Sequence, residues 1–150
     1  MCQSVSIRIP ADHSEPAADT TFAERMLDIL NNGALAIMTS LGHRTGLFDA
    51  LAELPPSTSE EIAAASGLHE RYVREWLGAM VTGGIVHYAP DAARYQLPAD
   101  HAAWLTRAAT PDNLAVVAQF LPLIAQVEDD IVECFRNGGG VPYAKYLRLH

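Results

Sequence analysis

The sequence predicts a mainly α-helical protein: a winged helix-turn-helix with a small β-hairpin wing, plus long N-terminal and C-terminal helices. Three observations carry that expectation. Ser57, Thr58, Glu60 and Glu61 precede an alanine-rich stretch that stops at Gly67, the pattern of a short capped helix and its terminating glycine. Val73, Trp76, Leu77 and Met80 then recur at helical spacing until Gly83 and Gly84 end the run. Finally, residues 85–88 and 94–97 flank Ala89, Pro90 and Asp91, a turn-rich link suited to a two-stranded wing.

The bulk properties agree with one compact domain. A chain of 150 residues buries a core without metals or disulfides, and 49% apolar against 19% charged residues is a globular balance. The formal charge of -8 repels phosphate, which argues against nucleic acid and anionic membrane as partners. Cys2 and Cys134 share no recognisable spacing, and no apolar run follows a basic start. Reduced thiols in a cytoplasmic protein are therefore expected. The most apolar stretch, residues 114–127, contains Gln119, Pro122 and Gln126 and falls short of the roughly 20 clean residues a membrane span needs.

Taken in order, residues 1–20 show no helical periodicity and read as a mobile leader, with one brief extended piece over residues 5–9. Thr21 and Glu24 form a capping box for a long helix. Its stripe is Phe22, Met26, Ile29, Leu30, Ala34, Ile37, Met38 and Leu41, with Leu27 and Leu35 widening the face. Two readings fit: a central helix buried on most sides, or one that also packs on a partner subunit. On the second, the dimer interface is Phe22, Met26, Ile29, Leu30 and Ile37. Gly42 and Gly46 mark the helix end, and Leu47, Phe48 and Leu51 form a further apolar turn closed by Pro55 and Pro56. The next helix has two overlapping capping boxes, Ser57 with Glu60 and Thr58 with Glu61, which leaves its register open.

Beyond the wing, residues 100–107 predict a short helix with Trp104 and Leu105 inward. Thr110 as cap, Pro111 at the first position and Asp112 in the first turn start the last helix. Leu114, Val117, Phe120, Leu121, Ile124, Val127, Ile131 and Phe135 follow one face of it, and Pro122 predicts a kink. Residues 138–140 end it. The organisation expected is a leader over 1–20, a winged-helix dimerisation domain over 21–140 and a tail over 141–150.

Catalytic constellations are scarce. The six histidines, His13, His43, His69, His87, His101 and His150, form no pair with metal-ligand spacing, so no metal site is expected. Glycines 138–140 follow a helix, whereas phosphate loops follow a strand and open one. No serine stands in a strand-turn-helix elbow. Glu128, Asp129 and Asp130 read as a solvated helix face. On the helix-turn-helix, Arg71 and Arg74 are the possible DNA contacts, but Glu70 and Glu75 stand beside them. Residues 57–97 carry three arginines (Arg71, Arg74, Arg94) against five acids (Glu60, Glu61, Glu70, Glu75, Asp91), a net of -2 that makes a weak phosphate clamp.

A family resemblance rests on four blocks: Gly46-Leu47-Phe48-Asp49-Ala50-Leu51, the run from Ser59 to Leu68, Arg71-Tyr72-Val73-Arg74-Glu75-Trp76-Leu77, and Gly83-Gly84-Ile85-Val86. With these the chain resembles the N-terminal winged-helix region of two-domain S-adenosylmethionine-dependent methyltransferases of the small-molecule O-methyltransferase type. Some relatives of that type are labelled transcriptional regulator. The resemblance spans roughly residues 22–150. It implies a helical domain that dimerises through its first helix and roofs the active site of a Rossmann-like catalytic domain, with S-adenosylmethionine bound by the full-length enzyme. No glycine-rich cofactor loop, ribose-binding acid or catalytic base motif lies within these residues, so no catalytic or cofactor residue is carried over. The expected function is a dimerisation and substrate-lid domain, not catalytic alone; the alternative is a DNA-binding winged-helix regulator using Arg71 and Arg74. A substrate wall, if present, is expected at Gln119, Phe120, Leu123 and Ile124.

Overall fold

The computed structural model describes residues 20–146. The leader up to Ala18 and Asp19, the extended piece over residues 5–9 and the last four residues of the tail lie outside the described residues.

Helix α1 (Phe22–Thr45) opens on the Thr21–Glu24 capping box, with the Thr21 hydroxyl accepting from Glu24 N–H and the Glu24 carboxylate accepting from Thr21 N–H at 2.7 Å. It runs straight through Gly42 and ends at Gly46, whose φ of 76° is the left-handed conformation glycine adopts without strain. Gly42 is therefore no helix stop. A Cβ there would lie 2.5 Å from Trp76 Cζ2 and 2.7 Å from Phe48 Cε2, so this glycine lets two aromatic rings reach the helix backbone. Helix α2 (Leu47–Glu53) follows directly and contributes Leu47, Phe48 and Leu51 to the core.

Helices α3 (Ser59–Ser66) and α4 (Glu70–Thr82) form the helix-turn-helix, with Gly67 left-handed between them. Of the two possible capping boxes the fold uses Thr58 with Glu61. Ser57 is committed elsewhere: its backbone exchanges hydrogen bonds of 3.0 and 2.8 Å with Tyr95, and its hydroxyl donates to the Pro55 carbonyl. The wing is the antiparallel pair β1 (His87–Ala89) and β2 (Arg94–Gln96), in register His87 to Gln96, Tyr88 to Tyr95 and Ala89 to Arg94. The Ser57–Tyr95 bridge pins it to the start of α3. Arg94 Nη1 adds donations to Pro56 O and Glu61 Oε2 at 2.8 and 2.9 Å.

The core gathers Phe48, Ile62, Val73, Trp76, Leu77 and Met80 between α1, α2, α3 and α4. Each such side chain, fully buried, contributes roughly 1.5–3 kcal/mol. Trp76 meets Phe48 edge to face at 5.2 Å and donates its indole N–H to Met38 O at 2.8 Å, which satisfies its polar atom and fixes α4 across α1.

Helix α5 (Ala99–Leu105) follows the wing. Trp104 was expected inward and is instead 51% exposed; only Leu105 of that pair packs against the core. The start of the last helical segment also differs from expectation. Asn113, not Thr110, is the cap: its Oδ1 accepts from Ala115 N–H at 2.9 Å while its Nδ2 donates to Thr106 O at 2.8 Å. Asn113 is buried and serves two backbone groups at once, an advantage the exposed Thr110 hydroxyl, bonded to Arg107 O, does not have. What the sequence presents as one kinked helix is three: α6 (Leu114–Val117), α7 (Phe120–Ala125) and α8 (Glu128–Asn137). Pro122 falls in the first turn of α7, where its missing N–H costs no helical bond. The break has moved upstream to residues 118–119, next to the carbonyl that Pro122 cannot use. A second break at Gln126 and Val127 has no proline behind it.

Candidate functional site

Three surfaces surround the winged helix, and the residues singled out from sequence distribute among them unequally. The first is the outward face of α4. Arg71 and Arg74 are exposed there, but Arg74 Nη1 lies 3.3 Å from Glu70 Oε1, one helical turn away. Glu70 also accepts from Ser59 Oγ at 2.9 Å. Arg94, the cation of the wing, is turned back onto Glu61 and Pro56. Two of the three arginines thus spend their charge inside the module, and a reading face needs that charge on phosphates.

The second surface is the first half of α1. Residues 21–32 are exposed all round, and Phe22 (78%), Met26, Leu27, Ile29 and Leu30 present apolar side chains without cover from this chain. Ile37 continues the exposed side, while Thr39, Ser40 and Gly42 turn into the body. The helix is about 36 Å long. Only its second half packs on the domain.

The third is formed by α6 to α8, with α6 and α7 lying along α1. The four residues of the expected substrate wall do not share it. Leu123 is 4% exposed and belongs to the interior, whereas Phe120 (52%) and Ile124 (51%) face outward and Gln119 is half-buried. Ala115, Leu123 and Val127, spaced by multiples of four, are the apolar side chains of this segment that point inward. The outward set is Leu114, Val117, Phe120, Leu121 and Ile124, which periodicity alone would have placed in the core.

Between α1 and α4 lies an apolar cleft of about 420 Å³, floored by the buried Val73 and Trp76 and edged by Met38, Leu41, Leu68 and Tyr72. Tyr72 is exposed and meets His69 ring edge at 5.7 Å. Sequence periodicity gave no hint of the cleft, because its walls come from helices about 30 residues apart.

Where α1 turns into α2, Arg107 closes the module. Its backbone N–H donates to Asp49 Oδ1 at 2.7 Å, Nη1 pairs with Asp49 Oδ2, and Nη2 donates to His43 O at 2.7 Å. His43 sits beside this clamp with its Nδ1 buried and without a hydrogen-bond partner. Burial, with the neighbouring Arg107 guanidinium adding to it, holds the imidazole below its ordinary pKa of 6.5 against the opposing pull of Asp49.

Among the described residues no group of three or more His, Cys, Asp or Glu side chains is arranged to hold a metal ion, and no helix is long and apolar enough to cross a membrane. The described residues do not fit S-adenosylmethionine either. Their strands are the two of the wing, and glycines 138–140 leave the end of α8 rather than open a helix.

A helical core built from α1 to α4 with a wing pinned to the start of α3 defines a winged helix-turn-helix domain. The chain belongs to the Rv2258c-like winged HTH domain family, whose profile matches residues 33–107, from the middle of α1 to the Arg107 clamp. Among solved structures it is similar to the mitomycin 7-O-methyltransferase MmcR (TM-score 0.63, 23% identity, covering 83% of this chain and 35% of that one). It is also similar to RosA, the N,N-8-amino-8-demethyl-D-riboflavin dimethyltransferase from Streptomyces davawensis (TM-score 0.66, 25% identity, 87% and 37%). Human N-acetylserotonin methyltransferase, in complex with SAM, shares the fold (TM-score 0.67, 15% identity, 91% and 40%). This chain spans between 35% and 40% of the length of these methyltransferases. None of the curated proteins matches it in sequence.

Proposed function

We propose that this chain serves as the N-terminal dimerisation and substrate-lid domain of an S-adenosylmethionine-dependent methyltransferase and is not catalytic alone. The observation that carries the reading is the size relation: 83% to 91% of this chain superposes on little more than a third of methyltransferase chains. The exposed apolar faces support it. The first half of α1, with Phe22, Met26, Ile29, Leu30 and Ile37, is the side for a second copy. The outward side of α6 and α7, with Phe120, Ile124 and the half-buried Gln119, is the side for a methyltransferase domain and its acceptor. Leu123 holds that wall from behind. The cofactor belongs to the other domain, in a cytoplasmic enzyme. The charge-paired α4 face disfavours the DNA-binding alternative.

Sedimentation velocity at tens of micromolar tests the α1 assignment. The wild type should run as a dimer and Leu30→Glu, which sets a carboxylate on the apolar face, as a monomer with the helical content of the body retained. A monomeric wild type overturns it. The coding sequence beyond His150 tests the rest: a strand followed by a glycine-rich turn is expected, and a stop codon there counts against the reading.

A further inference from the structure

The wing and α5 bring together two histidines that stand fourteen positions apart in the sequence. His87 opens β1 on the exposed side of the wing, opposite Gln96 in the ladder. His101 lies half-buried on α5, and the two ring centroids are 6.0 Å apart with 77° between the planes.

The chemistry of His101 is set by its neighbour. Its Nδ1 lies 2.8 Å from Ile85 O. A carbonyl oxygen only accepts, so Nδ1 carries the hydrogen and Nε2 keeps its lone pair in the plane of the ring. That carbonyl is itself held, because Val86 N–H, in the same peptide plane, donates to Met80 O at 3.2 Å, as Ile85 N–H does at 2.8 Å. An imidazole that gives one N–H to a fixed backbone carbonyl and presents the other nitrogen bare is the arrangement metal-ligating histidines use. An ion about 2.0–2.1 Å from one nitrogen of each ring in tetrahedral coordination sets two imidazole centroids roughly 5.2 Å apart; the rings stand at 6.0 Å, a gap that rotation of the exposed His87 side chain closes.

We propose that His87 and His101 form a two-histidine site for a divalent transition-metal ion of the zinc, nickel and copper group. Two imidazole nitrogens favour these borderline ions over magnesium or calcium, which take oxygen ligands. Water completes the coordination on the exposed His87 side. The chain charge of -8 favours the approach of any cation. The bound ion ties the wing to α5 across the short link at Leu97 and Pro98, so its structural effect is to fix the wing against the helix that follows it. The site is independent of the methyltransferase reading.

Isothermal titration with zinc chloride, on the full chain carrying Cys2→Ser and Cys134→Ser so that thiols do not compete, tests the proposal. One ion per chain with micromolar affinity is expected, weakened about tenfold or more by His87→Gln and by His101→Gln. Because His87 is exposed, His87→Gln should leave the metal-free Tm unchanged and abolish the zinc-induced rise in Tm seen in the parent chain. If His101→Gln unfolds through loss of its bond to Ile85, the His87→Gln result decides alone. Equal zinc binding by the parent and His87→Gln, or no heat and no Tm shift in the parent, overturns the proposal.

Discussion

Replacing Gly42 by alanine should destabilise the domain, although the same change in an ordinary helix interior stabilises it. Gly42 lies three residues before the end of α1 at Thr45. By helix propensity alone the added methyl contributes about 1 kcal/mol in favour of folding. The structure opposes it. The new carbon would stand 2.5 Å from Trp76 Cζ2 and 2.7 Å from Phe48 Cε2, where carbon–carbon contacts settle at about 3.5–4.0 Å. Both rings must retreat by about 1 Å. Phe48 is fully buried, and Trp76, although it borders the cleft, is tethered through its indole N–H to Met38 O, so a retreat of either ring disturbs packing or breaks that bond. Overpacking of this kind costs about 1–3 kcal/mol, and the tether places this case at the upper end. The net expectation is a loss of about 1–2 kcal/mol, a fall in Tm of about 4–8 °C. Gly78→Ala is the control. It is an exposed interior position of α4 where a Cβ meets nothing within 4 Å, and it should gain about 0.5–1 kcal/mol. Thermal melts followed by circular dichroism at two protein concentrations separate these shifts from any effect of assembly. Shifts of the same sign for the two variants would refute the packing argument.

Two further outcomes follow from polar groups. His43 has its folded pKa lowered below 6.5, so the unfolded chain binds the extra proton more readily. The stability that depends on neutral His43 is therefore intact above pH 6.5 and is lost as the pH falls through the lowered folded value. Urea denaturation at pH 7.5 and 5.5 should show a drop that His43→Gln diminishes; an unchanged drop in the variant removes His43 as its source. Asn113→Ala should cost about 2–3 kcal/mol in denaturant titrations, since it orphans Thr106 O and Ala115 N–H together. Asn113→Asp, which keeps the acceptor for Ala115 but sets an oxygen against Thr106 O, should also destabilise; wild-type stability in that variant would mean the Thr106 bond contributes nothing.

The helix-turn-helix was legible because its signals are local. Thr21 with Glu24, and Gly67, act within one turn of themselves and occupy the expected places. The choice of Thr58 with Glu61 over Ser57 with Glu60 is open in the sequence, because it turns on the pairing of Ser57 with the distant Tyr95. Misreadings arose where a residue answers to something distant. Gly42 resembles a helix stop until Trp76 and Phe48, from two other helices, are placed against it. Thr110 has the right chemistry for a cap but loses to Asn113, whose second partner lies on the far side of the turn at Thr106. Trp104 and the outward side of α6–α7 are apolar at helical spacing, and spacing does not say whether the cover comes from the same chain. For the same reason the sequence could not choose between a buried and a partnered α1, nor see that His87 and His101 meet.

The Arg107 clamp gives the domain a mechanical property. Three hydrogen bonds from this one residue latch the segment entering residues 107–113 to Asp49 and His43, at the corner where α1 turns into α2. The 57 residues between Asp49 and Arg107, which include α3, α4 and the wing, hang from the latch as a closed loop. Tension applied through α6–α8 therefore reaches α1 by way of the latch and by the direct packing of α6 and α7 along it, without having to pass through α3, α4 and the wing. A displacement at one exposed apolar face is transmitted to the other along α1 by two routes, and cutting the latch at Arg107 would leave only the side-by-side packing of α6 and α7 on α1 to carry it.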